Sequence, residues 1–217
     1  RKRDAQWPDG WLVCERAIWS LRNPSETCLD SLACAEHLGE PAHNSARDSG
    51  ALARTAPVGL LATPSHAFDL AGQLARLTHA HPTARFSAGF FAELIALVAT
   101  GQAIPHAVQQ ATDKLKPPAA AEVLSAVRRA QQLAAKGHLP TREHVESLGH
   151  GTGAAEALGI TVYCALVAES FEHGVLLAVN HGGKSDTTGA MVGSLLGTSL
   201  GLDGDCTFSI EGVASLT

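Results

Sequence analysis

Apolar residues recur at helical spacing through most of this chain, and no run of β-branched residues alternates with the period of two that a half-buried strand needs. Residues 119–136 carry the clearest pattern. Val123, Leu124, Val127, Ala130, Leu133 and Ala134 fall on one side, Arg128, Arg129 and Gln132 on the other, and Gly137 is placed as a stop. The same reading predicts helices at about 51–62, 66–79, 83–100, 104–113, 141–147, 154–168 and 171–180, and one running to Gly201. Residues 9–21 predict an opening helix. Asn23-Pro24 breaks it, and Ser25 is positioned to cap a helix through Cys28, Leu29, Leu32 and Ala35. Gly101 and Pro105 mark one connection and Pro117-Pro118 another. Residues 39–50 are a polar loop, either a plain solvated connection or a binding segment, and residues 202–217 read as a weakly organised tail. The expected fold class is all-α.

Composition narrows this picture. With 217 residues, 45% apolar and 17% charged, the chain suits a single domain over 1–217 with a real core. A net charge of −5 gives no reason to expect nucleic-acid contact, and Arg1-Lys2-Arg3 is too short to alter that. The five cysteines (Cys14, Cys28, Cys34, Cys164, Cys206) include no CxxC pair, which points to free thiols in a reducing, cytoplasmic setting. The longest weakly polar run, Ala190 to Leu202, is interrupted by Gly, Ser and Thr and is too short to span a bilayer, so no membrane contact is expected. The chain opens on Arg1 rather than Met and reads as trimmed or as a piece of a longer protein.

Four segments carry candidate chemistry. His181 to Gly201 leads through two glycines and Lys184-Ser185-Asp186-Thr187-Thr188 into a helix with Gly189, Gly193, Gly197 and Gly201 at every fourth position. Asp186 and the threonine hydroxyls either cap that helix or serve as hard oxygen ligands of the kind magnesium prefers. The glycine stripe suggests close helix packing. In Thr78-His79-Ala80-His81-Pro82, a histidine either caps a helix C-terminus or, as His79, donates to a phosphate or a sugar hydroxyl. In Asn44 to Arg54, Ser49 and Gly50 can offer a hydroxyl and an N–H to an anion, and Arg54 either pairs with Asp48 or reaches a ligand. Gly149-His150-Gly151-Thr152-Gly153 lets a backbone approach something closely, with Glu156 facing either solvent or the site. It is not a dinucleotide fingerprint, because its spacing is wrong and no strand precedes it.

Taken in order, these segments resemble the ADP-ribosylglycohydrolase family, which includes the hydrolase that reactivates dinitrogen reductase. NSARDSGALARTAPVGL is similar to the family's Asn-Ser…Gly-x-x-Met-Arg-x-x-Pro-x-Gly block, and ARLTHAHPTA to its Thr-His segment. LGHGTGAAEALGITVYCAL is similar to its Gly-x-Gly-x-x-x-x-Glu-Ala-Leu block, and AVNHGGKSDTTGAMVGSLLG to its Gly-Gly-Asp-x-Asp-Thr-x-Gly-Ala metal block. The match runs from about Trp11 to Gly201. It implies a compact, orthogonal helical bundle with two magnesium ions in a central cleft, and hydrolysis of the glycosidic bond joining ADP-ribose to a protein side chain or small molecule. Carried over by position, Asp186 and Thr187 match metal ligands, His79 matches a residue near the substrate, and Ser49, Gly50 and Gly151 match positions lining the ADP-ribose cleft.

Two departures from the pattern alter what the resemblance implies. The family's N-terminal Gly-Asp-Ala-x-Gly helix and Thr-Asp-Asp-Thr metal block have no counterpart in this sequence, so an N-terminally truncated member is expected. A domain lacking those helices would expose the surface they cover, which predicts self-association or poor solubility. Lys184 stands where the metal block has its first Asp, a swing of two charge units. Each unit pair at about 4 Å is worth on the order of 4 kcal/mol at an effective dielectric of 20. The smaller changes are Ala53 before Arg54 in place of Met, Ser49 where Cys or Gly is common, and Thr152 in place of Trp. Together they predict weak magnesium binding and either feeble hydrolysis or a pseudoenzyme that binds ADP-ribose or a protein partner.

Overall fold

A computed structural model describes residues 24–201, together with Arg16. The predicted helix at 9–21 and the tail at 202–217 lie outside the described residues, apart from Arg16 itself. The described residues from Ser25 onward belong to one compact unit. That unit carries all the helices discussed below. Among the described residues there are ten α-helices and no strand, only an isolated antiparallel bridge between Asp48 and Gly153.

The helices are α1 (Glu26–Cys34), α2 (Ala56–Leu61), α3 (Pro64–Arg76), α4 (Pro82–Ala99), α5 (Ile104–Lys114), α6 (Ala121–Ala135), α7 (Arg142–Glu146), α8 (Ala154–Val167), α9 (Phe171–Val179) and α10 (Ser185–Leu200). Ser25 caps α1 by accepting from the Cys28 N–H. Thr141 and Ser170 cap α7 and α9 in the same way. Gly101 and Gly137 follow α4 and α6 with positive φ, a backbone conformation that a side chain would strain. The helix expected at 51–62 is divided. Two 3-10 turns, Ser49–Ala51 and Ala53–Thr55, precede α2. Pro57 explains the break: it has no N–H to donate to an upstream turn, so the chain restarts with the proline in the first turn of α2.

α4 is the central helix. It touches α2, α3, α5, α6, α8 and α10, and every residue from Ser87 to Val98 is buried. It is also the one described helix long and apolar enough, by length and composition, to cross a membrane. Here that apolar surface lies against other helices, as in a core helix. Gly59 on α2 and Gly89 on α4 permit close approaches between α4 and its neighbours. A Cβ at Gly59 would sit 2.6 Å from the Ile95 Cβ, and one at Gly89 would sit 2.8 Å from the Phe68 carbonyl oxygen.

The glycine stripe of α10 is only partly a packing requirement. A Cβ at Gly189 would lie 2.5 Å from Val179 of α9. At Gly193 and Gly197 it would meet the Phe171 ring no closer than 3.8 Å, an ordinary contact, because that ring holds the two helices apart. The reciprocal close approach is on α9, where Gly174 accommodates Leu196. Gly201 follows α10 with φ +67°.

Cys28 and Cys34 are free thiols on and beside the surface, and Cys164 is buried in α8, where desolvation pushes its thiol up to about 12.

Candidate functional site

The four chemistry-bearing segments meet at one junction; backbone hydrogen bonds join three of them, and side chains tie in the Thr78–Pro82 segment. Ser49 N–H donates to the Thr152 carbonyl, and Ala154 N–H to the Arg47 carbonyl. These bonds make the Asp48–Gly153 bridge. On the other side of the glycine loop, Lys184 N–H donates to the His150 carbonyl at 2.8 Å. A Cβ on Gly151 would lie 3.2 Å from Thr188 and 3.7 Å from the Lys184 Cβ. Gly149 and Gly151 both have positive φ, 129° and 69°. Alternating glycines let the loop pass between the Asp48 turn and the start of α10.

Asp48 is the hub on the first side. Its carboxylate accepts from Thr27 Oγ1 at 2.8 Å, from Gly50 N–H at 3.0 Å and from His79 Nε2 at 2.8 Å. Burial alone would raise its pKa. The bonds from His79, Thr27 and Gly50 outweigh that and hold the carboxyl below its usual value. His79 is fully buried, and its Nδ1 faces Thr78 Oγ1 at 2.8 Å. With Nε2–H given to Asp48, Nδ1 is the acceptor and Thr78 the donor. Arg54 does not pair with Asp48. Its guanidinium reaches Thr78 Oγ1 at 2.5 Å and Cys28 Sγ at 3.2 Å. Asn44 stitches the same region, donating to the Thr78 carbonyl and accepting from Ala80 N–H. His81 accepts from Thr83 N–H at the start of α4, so it caps the N-terminus of α4 rather than the C-terminus of α3.

The α10 side is built on His181 and Thr188. Thr188 Oγ1 donates to the Ala178 carbonyl at 2.7 Å, so His181 Nε2–H must donate to it, at 2.9 Å. His181 Nδ1 then accepts from Gly183 N–H at 3.2 Å. Both ring nitrogens are therefore satisfied only in the neutral imidazole. Burial lowers the His181 pKa from its usual 6.5, against a smaller opposing effect from the Ala178 carbonyl. In the window below 6.5 the unfolded chain binds a proton that the folded chain refuses, so stability falls as pH drops through it. The melting temperature is expected to decline from pH 7 to pH 5, and His181→Gln should flatten that decline in a thermal-shift series. An unchanged slope in the variant would mean that other groups cause it.

Asp186 and the threonines do not cap α10. Lys184 occupies the capping position and makes no side-chain cap bond. Asp186 is exposed in the first turn, Thr187 is half-buried, and Thr188 turns inward. Ser49 is buried and Gly151 closed over, while Lys184 is exposed. Glu156 faces the loop rather than solvent alone, accepting from His150 N–H at 3.2 Å. Asp48 is the residue that the sequence reading missed as a hub. An acidic residue two before a glycine signals a local turn, but its partners Thr27 and His79 are remote in sequence.

The donor set among the described residues does not suit a two-magnesium centre. Among the described residues, no three His, Cys, Asp or Glu side chains converge to hold an ion. The start of α10 offers one carboxylate, Asp186, and the hydroxyls of Ser185 and Thr187 beside an ammonium.

A sequence model of the family described as ADP-ribosylglycohydrolase matches residues 3–206. No curated protein sequence matches the chain significantly.

Proposed function

This chain belongs to the ADP-ribosylglycohydrolase family, and from that premise we propose that the four-segment junction binds the ADP-ribosyl group and turns it over feebly at most. The family acts on ADP-ribosylated substrates and is generally metal-dependent. One observation carries the binding reading: Lys184 stands at the capping position of α10. The first-turn N–H groups of a helix have no partner within it, and the helix dipole favours an anion there. An ammonium at that point adds to the preference and opposes a dication. A diphosphate suits such an end better than magnesium does, even with Asp186 nearby.

The second reading is hydrolysis proper, favoured by Asp186 and Thr187 remaining at the start of α10, where the family holds metal.

Calorimetry with ADP-ribose separates the two. The binding reading expects the same affinity with magnesium and with excess chelator, and no ADP-ribose released from an arginine-linked conjugate. It also expects Lys184→Asp to tighten magnesium binding by about tenfold or more, since a two-unit charge swing close to the ion is worth several kcal/mol. Magnesium-dependent release of ADP-ribose by the unaltered chain, lost in Asp186→Ala, would establish hydrolysis instead.

A further inference from the structure

We propose that Asp48 is the positioning residue of the junction, acting as a three-point clamp that sets the Ser49–Gly50 turn and, through it, the Gly149–Gly153 loop. The proposal rests on the reading of that junction as the ADP-ribosyl site.

The geometry that carries it is specific. Three donors from three separate stretches of chain converge on one carboxylate: the Thr27 hydroxyl on α1, the Gly50 N–H, and the His79 imidazole after α3. Two of them share Oδ1, and Thr27 takes Oδ2. The side chain is thereby fixed in both position and rotation. Its own backbone forms the bridge to Gly153, flanked by the Ser49-to-Thr152 and Ala154-to-Arg47 bonds. Holding the carboxylate therefore holds the register of the glycine loop. That loop carries no side-chain cap at Gly153 and is held by the bridge, by Glu156 and, on its far side, by the Lys184 N–H bond to His150.

His79 has a role in this arrangement that its position near the substrate does not capture. It has no exposed surface, and both ring nitrogens are engaged, one with Asp48 and one with Thr78. Arg54 anchors the far end of the relay on Thr78. His79 therefore acts through Asp48, as a buried prop, and the clamp is the point where its orientation reaches the loop. Gly50 is confined by the same carboxylate: a Cβ there would lie 2.6 Å from Ser25 Oγ and 2.9 Å from Asp48 Oδ1.

Asp48→Asn and Asp48→Ala separate a clamp from a general contribution to folding. The amide keeps an acceptor oxygen for Gly50 and His79, and Thr27 can reverse its hydroxyl to accept from the new NH2 group. Alanine removes both acceptor oxygens and with them all three bonds. Two readouts are taken on each variant: ADP-ribose affinity by calorimetry, and amide hydrogen exchange at Ser49 and Ala154 in the unliganded protein. Asp48→Ala is expected to weaken affinity by about tenfold or more, the scale of one lost charge-assisted hydrogen bond. It should also speed exchange at both amides while exchange in α4 and α8 stays slow. Asp48→Asn is expected to recover affinity to within about threefold and to restore protection. If Asp48→Ala does not fold, Thr27→Val removes a single donor and should speed exchange at Ser49 measurably. Unchanged exchange in the folded alanine variant, or in Thr27→Val where it is needed, would overturn the clamp. So would faster exchange everywhere at once. Failure of the unaltered protein to bind ADP-ribose would sink the functional reading alone, because the exchange experiment needs no ligand.

Discussion

Gly183→Ala is expected to lower stability by about 3 kcal/mol, combining overpacking of about 1–3 kcal/mol with a lost hydrogen bond of about 1. A Cβ at this position would lie 2.6 Å from the His150 carbonyl carbon and closer still to its oxygen. Those are backbone atoms of the glycine loop and cannot swing aside as a flexible side chain would. Relief requires the loop and the start of α10 to separate, which breaks the Lys184 N–H to His150 bond. For a domain of this size the loss corresponds to a fall of about 6–12 °C in melting temperature. If the junction is the ADP-ribosyl site, affinity should fall with it. Gly193→Ala is the control, since its nearest atoms are 4.0 Å away. It should be neutral, or should stabilise by up to about 1 kcal/mol through helix propensity. Equal losses in both variants, measured by urea unfolding, would show that helix α10 tolerates no added methyl anywhere and that the His150 contact is not special.

Lys114→Met is expected to cost about 2–3 kcal/mol at neutral pH, less than a fully buried pair would because half of the lysine side chain is exposed. Glu93 lies in the buried stretch of α4 with 1% of its side chain exposed, and Lys114 at the end of α5 is its ion-pair partner. Its second oxygen, Oε2, has no hydrogen-bond partner. Burial raises the Glu93 pKa above its usual 4.5, although Lys114 pulls the other way. A raised carboxyl means that the folded protein holds its proton longer than the unfolded chain does. Stability therefore declines as pH rises from 4.5 through the folded value and levels off beyond it. Losing the lysine moves that upper limit higher. The Lys114→Met penalty should accordingly be greater at pH 8 than at pH 5, and Glu93→Gln in the same background should remove the difference. A penalty independent of pH would exclude an ionised Glu93 as its source.

Much of the helical framework was legible in the sequence because its signals are local. Ser25, Gly101 and Gly137 mark their boundaries through hydrogen bonds and dihedral angles that depend on near neighbours. The apolar face of α6 is buried through Val123, Leu124, Val127 and Ala130, as its spacing requires. The division of the 51–62 segment was also marked, by Pro57, but a repeating apolar pattern runs across it and conceals the break. The all-α class and the family follow from patterns of this local kind.

What the sequence left open depends on direction rather than spacing. Asp186, Thr187 and Thr188 are consecutive on a helix, and no pattern tells which of them turns inward. Thr188 does so because the Ala178 carbonyl and His181 lie beneath it. Arg54 had Asp48 within easy reach along the chain, yet it bonds to Thr78 and Cys28, because His79 already fills the acceptor side of Asp48. The α10 glycines were similarly ambiguous. Only the size of the residue opposite, Val179 at one end and Phe171 at the other, decides which of them must be small.

The Asp48–Gly153 bridge also bears on the order in which the molecule comes together. The α3–α4 pair joins neighbours along the chain, with Phe68 and Phe86 ring to ring, and needs only a short closure. The bridge joins residues nearly half the chain apart, so a long loop must close before its contacts can reward the meeting. It should therefore close late when the protein folds and open early when the protein begins to unravel. A nascent chain would then have to emerge past Gly153 before the junction could exist at all, so that ligand recognition becomes a property of the finished domain and of none of its parts.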